Sequence, residues 1–496
     1  MKKPLHIISV SSEVAPFSKS GGLADVARAL PNHLSGMGHR VTIMTPFYSF
    51  MKKNPDLEKL ESISETKEHL LINNKPFPVK FKRLVESDNR EVIFVCNEEF
   101  FGGHSKLYGY QNDNARFFFF NKAVLHFLSL TNLSPDIIHC HDWQAGAIPN
   151  LLEHEQDQYP SLRQTATVFT IHNLSFQMGG VNWWDIPEDK RDDGKGGFPE
   201  DEKYLRRANF SKRGIGHADV INAVSERYAR EILTPEFGQN LEKQLLRREE
   251  DVYGIVNGID YNVSNPLFDE YIETNYDWNT LYKKKKNKIH LQKLTGLEED
   301  ENIPIIGMVS RLTEQKGFDL IREIMWVLVK LPIQLVVVGS GDKEYLQFFK
   351  QTAKKYPKKI GVWSPFTHDM ESRVYAGSDM FLMPSHFEPC GIAQMKSLRY
   401  GSVPIVHETG GLSDTIENFN PKTSRGNGFV FPAYTKEDLL IAITRAIETY
   451  QYPKIWTHLV WRGMQQSYSW EIPAKKYVDL YKIAIKKKKA KVEKNN

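Results

Sequence analysis

The chain is poor in cysteine, has no long uninterrupted apolar run, and carries almost balanced charge. Three cysteines, Cys96, Cys140 and Cys390, in 496 residues are too few and too scattered for a disulfide framework, and they fit a reducing, cytoplasmic setting. The most apolar segment, residues 117–130, is interrupted by Asn121, Lys122 and His126. It cannot span a bilayer and reads as a buried helix, so no membrane partner is expected. The opening, MKKPLHIISVSSEVAPF, lacks the longer apolar core and small-residue cleavage site of a secretory signal. Residues 5–10 read instead as a first strand. A net charge of +4 does not call for a nucleic-acid partner. No internal repeat with a period of about 20–50 residues is visible. The lysine-rich end, KIAIKKKKAKVEKNN, has the charge to attract acidic surfaces, but its simpler reading is a frayed, solvated tail.

What is present is an alternation of short apolar runs with longer helical patterns. The strand candidates are LHIISV, HRVTIMTP, EVIFVCN, DIIHC, ATVFTIH, DVINAVS and YGIVNG, then IPIIGMVS, IQLVVVG, MFLMPS, VPIVHE and GFVF. Runs undiluted by polar alternation suit strands buried on both faces of a parallel sheet. Their alternation with helices predicts an α/β fold of two doubly wound domains. The divide is expected after Asp260, where YGIVNGID ends, with domains over 1–260 and 261–470. The stretch LYKKKKNKIHLQK then reads as a solvated helix opening the second domain, and residues 182–202, rich in Gly, Pro, Asp and Lys, as an irregular surface loop. In doubly wound sheets ligands bind outside the carboxyl ends of the strands, so the residues just after the strands carry the most information.

Three such places stand out. Lys19-Ser20-Gly21-Gly22-Leu23-Ala24-Asp25 follows the first strand. Its glycines permit close backbone approach, and a helix start there offers free N–H groups to a phosphate; a plain structural turn is the alternative. The spacing fits neither the dinucleotide fingerprint nor a P-loop. Arg311 and Lys316, five residues apart in SRLTEQKG, converge either on a diphosphate or on surface carboxylates. Glu388-Pro389-Cys390-Gly391-Ile392 places a carboxylate on a tight turn ahead of a helix, suited to sugar hydroxyls, and Gly410-Gly411 forms a similar corner. Cys390 has no activating base beside it and reads as a small buried residue. His141-Asp142-Trp143 and His172-Asn173 end two further strands; acid–base or metal roles compete there with capping and packing. Asp-x-Asp occurs nowhere in the chain, so a carboxylate clamp for a divalent ion is missing and protein cations take that electrostatic role.

With these motifs in place, the sequence resembles the bacterial-type glycogen synthase and plant starch synthase family. SSEVAPFSKSGGLADV, HCHDWQAG, FTIHNLSFQ, ADVINAVSERYAREI, TPEFGQNLE, YGIVNGID, SRLTEQKGFD, YAGSDMFLMPSHFEPCGIAQ and TGGLSDTI carry the resemblance in order along the chain. It implies a GT-B architecture, two Rossmann-like domains facing across a cleft, with a last helix in 471–496 returning to the first domain before a Lys-rich tail. It implies retaining transfer of glucose from ADP-glucose, or alternatively UDP-glucose, to the non-reducing end of an α-1,4-glucan, with no cofactor and no metal. An inactive sugar-binding homologue would need a broken site, and none of its charged residues is missing. The resemblance assigns the donor diphosphate to Lys19, Gly22, Arg311 and Lys316, and counts Gly21 and Asp25 among the other donor-binding residues. It assigns the rest of the donor to Asn257, Gln315, Glu388, Cys390, Gly391, Ile392, Gly410 and Gly411. His172 stands beside the transferred glucose, Phe366 offers a ring to the base, and Glu13, Asp142 and Trp143 border the acceptor path. Three positions depart from the family pattern: Ser264 stands where a Trp commonly precedes Asn-Pro, the loop around Trp183-Trp184 differs, and Lys396 replaces the second Glu of the E-x7-E found in related transferases.

Overall fold

The computed structural model describes residues 3–63 and 68–495. The chain divides into two compact units, one of Met1–Asn257 with Trp470–Asn496 and one of Gly258–Ser469. In the first unit the strands are β1 (His6–Val10), β2 (Arg40–Pro46), β3 (Glu61–Ser62), β4 (Glu68–Ile72), β5 (Lys75–Ser87), β6 (Arg90–Cys96), β7 (Ile137–His141), β8 (Ala166–Ile171), β9 (Val220–Ala223) and β10 (Val252–Gly254). They are ordered β10-β9-β8-β7-β1-β2-β6-β5-β3, with β4 on β5. Every pair from β10 to β6 is parallel, while β5 runs antiparallel to its neighbours. Strands β7 and β8 are buried at every position, as strands covered on both faces must be. Residues 117–130 lie in the helix Asp113–Leu130, buried on nearly all sides. Its one lysine, Lys122, is neutralised by Glu155 and Glu200.

The helix Glu471–Asn495 belongs to this first unit. Trp470, Ala474, Tyr477, Tyr481 and Ala484 recur at helical spacing and pack against Ile7, Val41, Ile137, Val168 and Val220. The lysine-rich end does not fray where a solvated tail was expected. It continues the helix, and Lys487 and Lys491 pair with Asp251 and Asp219. The two buried tyrosines also meet polar groups of the sheet: Tyr481 Oη lies 2.9 Å from His139 Nδ1, and Asn222 Nδ2 donates to Tyr477 Oη at 3.1 Å.

The second unit has β11 (Ile305–Val309), β12 (Gln334–Val338), β13 (Ile360–Trp363), β14 (Met380–Met383), β15 (Val403–His407) and β16 (Phe429–Phe431). All pairs are parallel, in the order β13-β12-β11-β14-β15-β16, the strand order of dinucleotide-binding sheets. The helix Lys284–Thr295 is not the solvated helix expected from its lysines. Lys284 Nζ donates to the carbonyls of Tyr375, Ala376 and Tyr400 at 3.0, 2.7 and 3.0 Å, and burial pulls its pKa down to about 7. Lys288 pairs with Asp379 at 2.8 Å. Lys284 thus satisfies carbonyls at the ends of neighbouring helices and Lys288 a carboxylate, roles that sequence periodicity does not report. Among the described residues no helix is long and apolar enough to cross a membrane.

If the last helix completes the first core, its buried tyrosines must matter in two separable ways. Tyr481→Ala should destabilise the first unit by about 3–5 kcal/mol through the cavity it leaves. Tyr481→Phe should cost about 1–3 kcal/mol, because His139 Nδ1 loses its partner in a buried site. Urea unfolding followed by a probe in the first unit measures both; a Tyr481→Phe cost near zero would show that the hydroxyl contributes nothing, and equal costs that the ring adds nothing beyond it.

Candidate functional site

In each sheet the chain leaves the first strand toward one face and the fourth strand of the parallel set toward the other. In the first unit this switch lies between β1 and β7, in the second between β11 and β14. Both sets of candidate residues follow these strands.

In the first unit, Glu13 follows β1 and is buried. Its Oε2 accepts from the backbone N–H of Ser20, which ties the Lys19–Gly22 turn to the end of the strand. Burial pushes the Glu13 carboxyl up to about 7. Lys19 Nζ pairs with Asp25 Oδ1 at 2.8 Å, both partly exposed. The helix Gly22–Gly36 then begins at Gly21 without a side-chain cap, so its first N–H groups point outward unpaired by a side chain. A Cβ on Gly21 would meet nothing within 4 Å. The chain's own packing does not demand glycine there.

At the end of β7, Asp142 has φ 57° and ψ −178°, at the edge of a region that almost only glycine occupies, with a cost of about 1–3 kcal/mol. Three hydrogen bonds hold it there. Its N–H donates to Thr170 O at 2.9 Å, and its Oδ1 accepts from the N–H groups of His172 at 2.6 Å and Asn173 at 3.4 Å. Burial nevertheless raises the Asp142 carboxyl to about 7. His172 Nε2 lies 3.0 Å from His141 Nδ1, and His141 Nε2 lies 3.3 Å from Ser9 Oγ. The His139 ring packs on His141, 4.0 Å between centroids. Burial drives His141 down to about 3 and holds His139 and His172 well below the ordinary imidazole value. All three rings are therefore neutral near pH 7, and the proton shared by His141 and His172 couples their tautomers. Ser9, His139 and Tyr108, whose hydroxyl meets Ser12 Oγ at 2.7 Å, do not stand out in the sequence. The polar Ser9 inside the apolar run LHIISV is the available signal.

Trp143, expected to border the acceptor path, is buried against Phe117 and Phe210 at 5.1 and 5.9 Å between ring centroids. Its ring is occupied by core packing, and the polar groups of this end are Glu13, Asp142 and His172. Asn257 is buried, and its Oδ1 has no hydrogen-bond partner among the described residues, an arrangement rare enough to ask for a missing donor.

In the second unit, a pocket of about 170 Å³ opens at the carboxyl ends of β11 and β14. Arg311, Lys316, Ser385, Glu388, Gly391 and Ile392 are among its lining residues. Lys316 Nζ lies 2.6 Å from Glu388 Oε2, and Ser385 Oγ donates to the same oxygen at 3.1 Å. Gln315 stitches the two loops together: its Nε2 donates to Phe387 O at 3.3 Å, and its carbonyl accepts from the His386 N–H at 2.9 Å. Gly317, at φ +77°, is required by this closeness, since a Cβ would lie 2.0 Å from Pro384 O. Gly410, at φ +44°, is required likewise, its Cβ falling 1.9 Å from Glu388 O. Gly410 and Gly411 are buried, and the Gly411 N–H donates to Glu388 O at 3.1 Å. These glycines seat the Glu388 turn, whereas Gly391 and Ile392 reach the pocket wall. Cys390 is buried, its carbonyl taken by Gln394 Nε2 at 3.1 Å. Phe366, after β13, is 39% exposed, and its ring stands nearly perpendicular to that of His368.

The raised Asp142 carboxyl makes stability depend on pH. Its proton is held more tightly in the fold than in the unfolded chain, so its contribution to stability is full below the ordinary carboxyl value of 3.8 and is lost as pH rises toward 7. Asp142→Asn abolishes that loss. Relative to the unmodified protein, the variant should gain up to about 1.4 kcal/mol per pH unit between pH 4 and 7 and nothing beyond. Urea unfolding at pH 4.5, 6 and 8 measures this, and a pH-independent difference would contradict the shift.

Comparison with known proteins bears on both units. The family model for the starch synthase catalytic domain matches residues 6–247, and the model for glycosyl transferases group 1 matches residues 293–458. The glycogen synthase of Bacillus cytotoxicus is 41% identical over 489 residues, spanning 97% of this chain and 100% of that protein. That of Pseudothermotoga lettingae is 41% identical over 495 residues, spanning 98% and 100%. Among solved structures, the catalytic domain of starch synthase IV from Arabidopsis thaliana, bound to ADP and acarbose, superposes with a TM-score of 0.85 at 29% identity, covering 98% of this chain and 100% of that one. A sucrose-phosphate synthase from Thermosynechococcus elongatus, at 17% identity and a TM-score of 0.60, shares the fold. The fold class is thus GT-B.

Proposed function

The chain belongs to the glycogen synthase family, and we propose that it draws glucose from ADP-glucose and adds it, with retention of configuration, to the non-reducing end of an α-1,4-glucan. The observation that carries this reading is the pocket beyond β11 and β14, where two cations and a fixed carboxylate share one wall. The adenine donor is favoured by the relative whose structure holds ADP; UDP-glucose is the alternative. Labelled transfer to glycogen from each donor in turn decides between them, and transfer from neither would favour an inactive sugar-binding homologue.

In this proposal Arg311 and Lys316 take the donor diphosphate. Lys316 has three N–H donors and can serve Glu388 and a phosphate oxygen together. Lys19 and the uncapped N–H groups after Gly21 add a second anion-binding place, and Asp25 holds Lys19 in reach. Glu388 accepts from sugar hydroxyls, Asn257 Oδ1 gains the donor it lacks, and Phe366 stacks on the base. Asp142 and the neutral His172 orient the transferred glucose. As the bond from C1 to the phosphate oxygen breaks, its electron pair stays on the diphosphate. The acceptor hydroxyl oxygen bonds to C1 from the same face, and its proton passes to the departing phosphate oxygen. Glu388 is an unsuitable nucleophile because Lys316 and Ser385 already hold its carboxylate.

Two outcomes follow from this assignment. Arg311→Ala and Lys316→Ala should each lower kcat by on the order of 10²–10³, the scale of one lost electrostatic donor; a change confined to KM would reduce them to ordinary binding groups. Turnover should also need no added divalent ion, since protein cations neutralise the leaving group. A tenfold or larger stimulation by Mg²⁺ or Mn²⁺ would overturn that point.

A further inference from the structure

Two helices of the first unit start together and end together. A Cβ on Gly146, just before the helix Ala147–His154, would fall 2.4 Å from the carbonyl of Phe210, which opens the helix Phe210–His217. At the other end the His154 and His217 rings meet at 5.3 Å between centroids. The helices therefore run in the same direction, and their two carboxyl ends, each with partial negative charge, converge. Glu153 lies at the same spot, and one ligand atom from each of Glu153, His154 and His217 falls within 4.8 Å of the others.

The His217 ring is already oriented. Its Nε2 lies 3.2 Å from the carbonyl oxygen of Gly194. A carbonyl only accepts, so the proton of a neutral ring sits on Nε2 and the lone pair on Nδ1. That Nδ1 is buried without a hydrogen bond among the described residues. Glu153 Oε1 stands 3.4 Å away, and the His217 ring beside it lowers the Glu153 carboxyl. A lone pair, a carboxylate and two helix carboxyl ends thus face one another, an arrangement that calls for positive charge between them.

We propose that Glu153, His154 and His217 bind one divalent transition-metal ion of the zinc type, with water completing four-coordination. Imidazole and carboxylate at such spacing suit zinc, with bonds of about 2.0–2.2 Å reached by small side-chain rotations. The Gly194 carbonyl supplies the outer hydrogen bond that usually orients a metal-bound histidine. The ion clamps two helix ends and the loop at Gly194. It involves none of the residues assigned to the sugar donor, so it is structural rather than a participant in transfer. The competing source of positive charge is a proton on His217, and the experiment separates the two.

The full-length protein is stripped with EDTA, freed of chelator and titrated with ZnCl₂ by calorimetry, and with Co²⁺ by visible absorption. One equivalent of Zn²⁺ should bind and raise the Tm, and Co²⁺ should give the intense bands of a tetrahedral site. His154→Ala and Glu153→Gln alter exposed side chains and should leave the fold intact while weakening binding on the order of 100-fold or more. His217→Ala should abolish binding; because that residue is largely buried and its loss could disturb folding, the two exposed variants decide the matter. Absence of stoichiometric uptake, or uptake unchanged in both exposed variants, overturns the proposal in favour of a protonated histidine.

Discussion

Where two neighbouring parallel strands send their following chains to opposite faces of a sheet, a gap must open at their carboxyl ends. This constraint governs both units. Between β1 and β7 it receives Glu13, Asp142 and, from the next strand, His172; between β11 and β14 it receives Arg311, Lys316 and Glu388. In the second unit the strand ends form part of the gap's wall, and the rest is loop residues held by what the neighbouring loops offer. That is why the glycines at loop contacts, Gly317 and Gly410, matter as much as the charged groups. Each lets one loop lie directly on the backbone of the next.

The two gaps solve the electrostatic problem differently. In the second unit an ammonium and a carboxylate are paired before any ligand arrives, and Ser385 completes the carboxylate's shell. Such a pair resists rearrangement and keeps the carboxylate from acting as a base or nucleophile. In the first unit the ammonium–carboxylate pair, Lys19 with Asp25, is partly exposed, and the buried carboxylates Glu13 and Asp142 form no ion pair among the described residues. Glu13 and Asp142 are pushed up by burial while His139, His141 and His172 are pushed down. The result is a polar cluster that stays close to neutral and responds to a bound hydroxyl by moving protons and tautomers rather than by attracting charge.

Much of this is legible in the sequence, for a physical reason. Fully buried parallel strands need continuous apolar runs, and runs such as DIIHC, ATVFTIH and IQLVVVG can be little else. The antiparallel outer strands β3, β4 and β5 escape such reading because KPFPVKFKRLVES mixes prolines and lysines into a half-exposed strand, and β13 escapes because IGVW is interrupted by a glycine and closely flanked by lysines and a Ser-Pro pair. Lys284 and the terminal lysines depart from expectation because a charge in sequence does not say whether carbonyls or carboxylates await it in space. The Ser9–His141 contact joins residues 132 positions apart, and no local pattern encodes that. Trp143 shows the converse: its place in a polar motif suggests display, while its size commits it to the core.

The first unit is built from both ends of the chain. Trp470, Tyr477 and Tyr481, which pack on its sheet, are translated after the whole of the second unit. The ribosome must therefore deliver all of Gly258–Ser469 while the first sheet waits with one face open. At about 5–20 residues per second that interval is on the order of ten to forty seconds, far longer than a domain of local βα contacts needs to fold. The second unit, contiguous in sequence, can thus be finished first although it is made second. During that interval the exposed face of β1, β7 and β8 is the part of the nascent chain most in need of a chaperone's cover.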